Sequence, residues 1–372
     1  MIETVILDSE RQKKAKDYAR LSRRLSILGM AVDGIYALLW LVLGWAVSLS
    51  AGIAALTPNP WLELALFALV FGGISFLIGL PLSYYSGFHL PHLYGQSTES
   101  LRGWIGDQLK SILLGGLFGL LLLEVVYLLL RLAPQTWWLW VALVMLVVQV
   151  LLANLAPVLI FPIFNKFVPL DTERAGLAER LIRLAERAGT RVKGVYQFDM
   201  SRRTKSANAA LTGLGNTRRI ILGDTLIKEF SDDEIETVLA HELGHHAHHD
   251  IPVGIAIESA ITLLGLFVLS LALTWGTGLM GITSPADPAT LPLLVIIFGL
   301  YGLITTPLTN AYLRYRERRA DEFSLQLTGN GQAYASALTR LANQNLAEVD
   351  PERWVEVMFY THPALGKRIA MA

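Results

Sequence analysis

His241-Glu242-Leu243-Gly244-His245 constrains this chain more than any other stretch. On an α-helix of about 3.6 residues per turn, positions i and i+4 stand one above the other on one face. Two imidazoles then reach a single metal ion, while Glu242, one step round, faces a water bound to that ion. Two neutral nitrogens leave a four-coordinate zinc open for a third protein ligand and for solvent, the layout of a catalytic site. Such a zinc lowers the pKa of its water towards ~7, and a carboxylate beside it can take the proton. The stretch must therefore be helical, and its third ligand must come from elsewhere in the chain.

The helix is well specified. Ser231 with Glu234 three residues later is a capping-box pair, and Asp232 and Asp233 add negative charge where the helix dipole favours it. Ile235, Val238, Leu239 and Leu243 supply an apolar stripe at helical spacing. A chance five-letter match, or a histidine-rich helix without metal, is the bland alternative, and the rest of the chain weighs against it. His245 and His249 form a second i, i+4 pair, but no glutamate between them would supply a base at the matching position. His246, His248 and His249 read as interfacial polar residues.

Composition points to a membrane. The 372 residues are 53% hydrophobic and only 17% charged, against about a quarter charged in soluble domains. Net charge is zero, which argues against a nucleic-acid partner. The absence of cysteine excludes disulfides, a thiol nucleophile and thiolate ligands, so a metal must be held by His, Asp or Glu.

Six stretches are apolar and long enough for a bilayer, which needs about 20 residues: 27–50, 61–85, 111–130, 137–164, 251–275 and 291–313. Residues 1–26 are polar and basic and predict a cytoplasmic amphipathic helix from Ser9, not a cleaved signal peptide. Residues 27–164 hold four spans and residues 251–313 two more. Residues 165–250 are a charged segment, with an amphipathic helix over 171–188 and strands over 192–198, 208–212 and 218–222. The last two strands join in hairpin fashion through Gly213, Gly215 and Asn216. Residues 314–372 form a helical tail. Asp33 and Glu124 lie inside spans, where ionisable groups are costly, and face a hydrated interior or a salt-bridge partner.

Six spans put both termini on one side. The loops near 51–60 and 276–290 contain no Lys or Arg, and the loop near 131–136 has only Arg131. The N-terminal segment, the 86–110 loop, the 165–250 segment and the tail hold nearly all the rest, so they are expected in the cytoplasm. The metal helix then lies at the cytoplasmic membrane surface. The sixth span runs into Glu317 and Asp321, i and i+4 at that same level. One carboxylate can close the metal site while the other accepts the free ring N–H of a ligand histidine. Two solvated acids beside a stop-transfer arginine cluster are an equal reading of the spacing.

The pattern Arg314-x-Arg316-Glu317-x-x-Ala320-Asp321 after a span, with His-Glu-x-x-His before one, resembles the type I CAAX prenyl endopeptidase family of integral-membrane zinc proteases. HtpX-like proteases are more distant relatives. Further resemblance lies in Pro81–Tyr85 with His92-Leu93-Tyr94-Gly95, in 162–170, in Ser206-Ala207-Asn208-Ala209 with 219–226, and in Thr361-His362-Pro363 with Arg368. The resemblance implies a mainly α, polytopic membrane protein: six transmembrane helices and a cytoplasmic α+β gluzincin-type protease domain completed by the tail. It implies one Zn2+ per chain held by His241, His245 and Glu317, with Glu242 as general base and Asp321 behind a ligand. Asn208 and Ala209 would pair with the substrate backbone, and His362 and Arg368 would line the cleft. Implied partners are a lipid bilayer and a peptide or protein substrate, prenylated in the CAAX case. The implied location is a bacterial-type inner membrane or, in a eukaryote, the endoplasmic reticulum membrane.

Two departures stand out. Eukaryotic members begin with one more span, and they carry histidine and tyrosine where this chain has Ser206 and Ala210. The alternatives are an HtpX-like quality-control protease and, from another class, a transporter or lipid-handling protein with structural zinc. The glutamate between the histidines disfavours the last, because a structural site does not need one.

Overall fold

A computed structural model describes residues 6–170, 174–213 and 218–372. The first helix, α1 (Ser9–Val42), is capped by Asp8, whose side chain accepts from the backbone N–H groups of Glu10 and Arg11. It runs unbroken from the basic N-terminal segment into the first apolar stretch. The left-handed Gly44 (φ 70°) then ends it and starts a separate ten-residue apolar helix, α2 (Trp45–Ala54). The stretch expected as one span over 27–50 is thus two helices with a corner at a glycine. Positive φ is nearly free for glycine and costly for other residues.

Next come α3 (Pro60–Tyr84), continued by a wide π turn into α4 (Leu90–Leu93), then α5 (Leu101–Leu132) and α6 (Trp137–Leu155). A second π turn leads to α7 (Phe161–Phe164). After the segment between the membrane helices follow α11 (Asp250–Leu279) and α12 (Leu291–Thr328). Six helices, counting each through its π turn, are long and apolar enough to cross a membrane among the described residues. The sixth does not stop at the membrane: α12 extends through the Arg-rich stretch and carries Glu317 and Asp321 outward on the same rod.

The segment between the fourth and fifth spans contains β1 (Phe167–Pro169), α8 (Ala175–Arg187), β2 (Val195–Phe198), β3 (Ala209–Thr212), β4 (Arg219–Gly223), α9 (Asp224–Glu229) and α10 (Asp232–Ala247). The strands form one sheet in the order β1-β2-β4-β3. The β2–β4 pair is parallel and the other two are antiparallel, with Ala209 opposite Leu222. The β3–β4 hairpin has the expected pairing; its connection through Gly215 and Asn216 lies outside the described residues, as do 171–173 at the expected start of α8. The tail adds α13 (Gly331–Gln344), α14 (Arg353–Phe359) and α15 (Leu365–Ile369).

The core between the sheet, α8 and α10 is aliphatic: Leu181, Leu184, Ile220, Leu222, Leu226, Ile235, Leu239 and Leu243 are at most 1% exposed. Phe323 and Leu327 of α12 and Leu341 of α13 pack against it. Gly244 sets how close α10 and α12 come. A Cβ there would stand 2.9 Å from Ala320 Cα and 3.2 Å from the Ala320 carbonyl oxygen. The two backbones touch at that point, three residues beyond Glu317 on one helix and between the two histidines' turns on the other. Ser324 Oγ donates to the Thr237 carbonyl at 2.8 Å and fixes the same crossing.

Candidate metal centre

Ser231 caps α10 through the full reciprocal pair expected from the sequence: its side chain accepts from Glu234 N–H, and the Glu234 carboxylate accepts from Ser231 N–H. The other Glu234 oxygen accepts from Ser336 Oγ at 2.6 Å and Arg340 Nε at 3.2 Å, so α13 is tied to the start of α10. Three turns later the His241 and His245 rings stand 4.9 Å apart, nearly perpendicular.

Glu317 of α12 lies across both. Its Oε2 is 3.2 Å from His241 Nε2, and its Oε1 is 3.3 Å from His245 Nε2. A tetrahedral ion with bonds of ~2.0–2.1 Å separates its ligand atoms by roughly 3.3 Å. His241, His245 and Glu317 are the group of described residues whose donor atoms converge in this way. Glu317 Oε2 is buried and finds no hydrogen-bond partner of good geometry, which is costly for a carboxylate unless a cation completes it. The residues fit a metal ion.

Behind His241, Nδ1 lies 2.8 Å from Asp321 Oδ1. Arg368 grips Asp321 with two N–H groups, Nε to Oδ2 at 2.9 Å and Nη2 to Oδ1 at 2.7 Å. Burial alone would push the His241 imidazole down, but the Asp321 and Glu317 carboxylates outweigh it and raise it to about 9. Without an ion, then, His241 holds a proton that an arriving cation displaces. Burial raises Glu242 above the ordinary carboxylate range, the direction that suits a proton acceptor and donor near neutrality. Desolvation, with the Arg368 charge adding to it, lowers the His362 imidazole from its ordinary value.

The other expected residues gather at one cavity of about 500 Å³, lined among others by Asn208, Ala209, His241, Glu242, His362 and Arg368. β3 is the edge of the sheet, and its approach is anchored by Asn345, which accepts from Ala207 N–H and donates to the Ala207 carbonyl. His362 Nε2 is 3.2 Å from Glu317 Oε2. Arg368 reaches the cavity, yet the two N–H groups just described are committed to Asp321, so it braces His241 more than it faces the cavity. His249 does not stack over His245: it sits beyond the end of α10 in a left-handed conformation (φ 56°), which removes the alternative histidine pair. Sequence reasoning missed Asp250, whose Oδ2 lies 2.8 Å from His245 Nδ1. It also missed Tyr334, a cavity-lining residue only 2% exposed.

Known proteins resemble this chain over nearly its whole length. Residues 171–372 match the profile described as peptidase family M48, and residues 4–166 match the CAAX prenyl protease N-terminal profile, described as having five membrane helices. In that region four described helices are long enough to span, and α2 is the short apolar one. CAAX prenyl protease 1 of Saccharomyces cerevisiae is 32% identical, covering 98% of this chain and 86% of its own length. An uncharacterized metalloprotease of Bacillus subtilis, YhfN, is 30% identical over 96% of this chain and 84% of its own. The crystal structure of S. mikatae Ste24p superposes with a TM-score of 0.87 at 25% identity, covering 99% of this chain and 92% of that one. The chain therefore belongs to peptidase family M48, among the integral-membrane metalloendopeptidases of the CAAX prenyl protease type.

Proposed function

We propose that the ion is zinc, one per chain, held by His241, His245 and Glu317, and that the enzyme cleaves peptide bonds near the C-termini of prenylated proteins at the cytoplasmic membrane surface. The carrying observation is the approach of His241 Nε2 and His245 Nε2 to the two oxygens of the Glu317 carboxylate, at 3.2 and 3.3 Å, beside Glu242 at a cavity walled by a sheet edge. Zinc, when bound, supplies a water of lowered pKa and polarises a carbonyl. Glu242 takes the proton of the attacking water on its carboxylate and hands it to the leaving amine. The substrate backbone adds to the free edge of β3 at Asn208 and Ala209, a case of β-augmentation. His362, beside Glu317, donates an N–H towards the oxygen where negative charge develops. Asp321, braced by Arg368, holds the His241 tautomer.

The cytoplasmic side follows from the Lys/Arg asymmetry of the loops. The prenylated substrate class rests on the relatives named CAAX prenyl proteases. Metal analysis of purified His241→Ala, His245→Ala and Glu317→Ala tests the ligand set, with loss of zinc expected in each. Cleavage of a farnesylated CAAX peptide and of its unprenylated twin tests the substrate. Preference for the farnesylated peptide is the expected result; equal cleavage of both would point to general membrane-protein turnover instead.

A further inference from the structure

Each candidate ligand histidine is backed by a carboxylate, and each carboxylate by an arginine. For His241 the pair is Asp321 and Arg368. For His245, Nδ1 meets Asp250 Oδ2 at 2.8 Å, and the other oxygen of Asp250 lies 2.9 Å from Arg316 Nε. Asp250 is 4% exposed and Arg316 8%. Neither is among the residues lining the catalytic cavity. A carboxylate this deeply buried is unfavourable unless its charge is met. Here it is met on one side by an imidazole and on the other by the charge of a guanidinium, whose Nε lies close but is not aligned for a hydrogen bond.

The geometry depends on a backbone irregularity. α10 ends at Ala247, and His249 takes φ 56°, ψ 35°, so that Asp250, the first residue of α11, turns back towards His245. Arg316 comes from α12, one residue before Glu317. Its guanidinium lies over the Tyr312 ring at 5.4 Å. On another side Gly254 of α11 leaves it room: a Cβ there would stand 3.1 Å from Arg316 Nη1. The two membrane helices thus clamp the arginine against Asp250.

Building on the metal site proposed above, we infer that Asp250 and Arg316 are positioning residues for His245. Asp250 accepts the Nδ1–H, which fixes the tautomer and leaves the Nε2 lone pair for the ion, and Arg316 holds Asp250 in place. The simpler reading is an ion pair that only stitches α11 to α12. The two differ in what they do to metal binding.

The test uses the full-length protein in detergent and measures zinc affinity by chelator competition, together with kcat and KM on a peptide. Loss of such an outer partner costs roughly 10–100-fold in metal affinity, and that is the fall expected for Asp250→Asn. Arg316→Met should weaken zinc in the same direction. The double variant should bind no more weakly than Asp250→Asn alone, because the arginine acts through the aspartate. Peptide KM should hold while kcat falls, since neither residue lines the cavity. Should Arg316→Met fail to fold, Arg316→Lys, which keeps the charge, is expected to bind zinc more tightly than Asp250→Asn. Unchanged zinc affinity in Asp250→Asn, with zinc lost in His245→Ala, would reduce the pair to a strut and overturn the inference. Zinc retained in His245→Ala as well would overturn the ligand assignment itself.

Discussion

At the scale of single residues, the missing Cβ of Gly244 lets α10 and α12 bring His241, His245 and Glu317 together. Gly244 lies where α10 and α12 touch, with Ala320 Cα 2.9 Å from where its Cβ would be. Gly244→Ala must push the helices apart, and overpacking of this kind costs about 1–3 kcal/mol. The expected result is a lower melting temperature together with weaker metal binding, because Glu317 moves away with α12. A variant with normal metal affinity would show that the crossing does not position the ligands. The residues of the His-Glu-Leu-Gly-His stretch were legible in sequence because their chemistry needs only helical spacing. Asp250 was not, although it directly follows the histidines. Its reach to His245 depends on the left-handed turn at His249, a conformation uncommon for a non-glycine residue and not signalled by spacing.

At the scale of elements, α14 and the turn after it are tethered to α12. Asn310 Nδ2 donates to the Met358 carbonyl, and Arg314 Nη1 donates to those of Glu356 and Tyr360. The buried Glu356 carboxylate then accepts from Ala364 N–H at 3.0 Å and Lys367 Nζ at 2.5 Å, fixing the segment that carries His362 and Arg368. Burial pushes Glu356 up, but Lys367, the Ala364 N–H and Arg314 outweigh it and hold the carboxyl below its ordinary value of 4.5. A depressed folded value means the stabilisation is complete above pH 4.5 and is lost as pH falls through the folded value. Glu356→Gln should lower stability by about 1–3 kcal/mol at neutral pH and flatten the acid limb of the stability profile. Thermal melts of both proteins between pH 3 and pH 7 check it. From sequence the tail read simply as helical, because its tethers join residues some fifty positions apart to carbonyls no periodicity reports. The corner at Gly44 was hidden for a related reason: α1 and α2 together make one continuous apolar run.

At the scale of the whole molecule, the N-terminal half of α1 and the tail share one face. Arg23 pairs with Glu348 at 3.1 Å, and Gln12 donates to the Ala347 carbonyl. Six membrane helices put these two segments on one side, and the charge asymmetry of the loops supports the proposal that this side is cytoplasmic. The chain has no cysteine, so single cysteines can be introduced one at a time. Leu56→Cys, at a position 82% exposed after α2, should react in intact cells with a membrane-impermeant maleimide. Glu179→Cys, on the exposed face of α8, should react only after lysis. The reverse pattern would invert the topology. The span count was legible because hydropathy is a local sum over many residues. How closely α12 approaches α10 was not, because it rests on one glycine.

We propose that Glu242 performs proton transfer and that metal binding belongs to its neighbours. Glu242 is rotated by about 100° from His241 on α10, off the face that carries both histidines. Glu242→Gln keeps its shape and removes the base. Zinc content, measured on the purified variant, should equal that of the unchanged chain, and peptide turnover should fall by ~10²–10⁴-fold or more. Full zinc with near-normal turnover would place the base elsewhere and contradict the account.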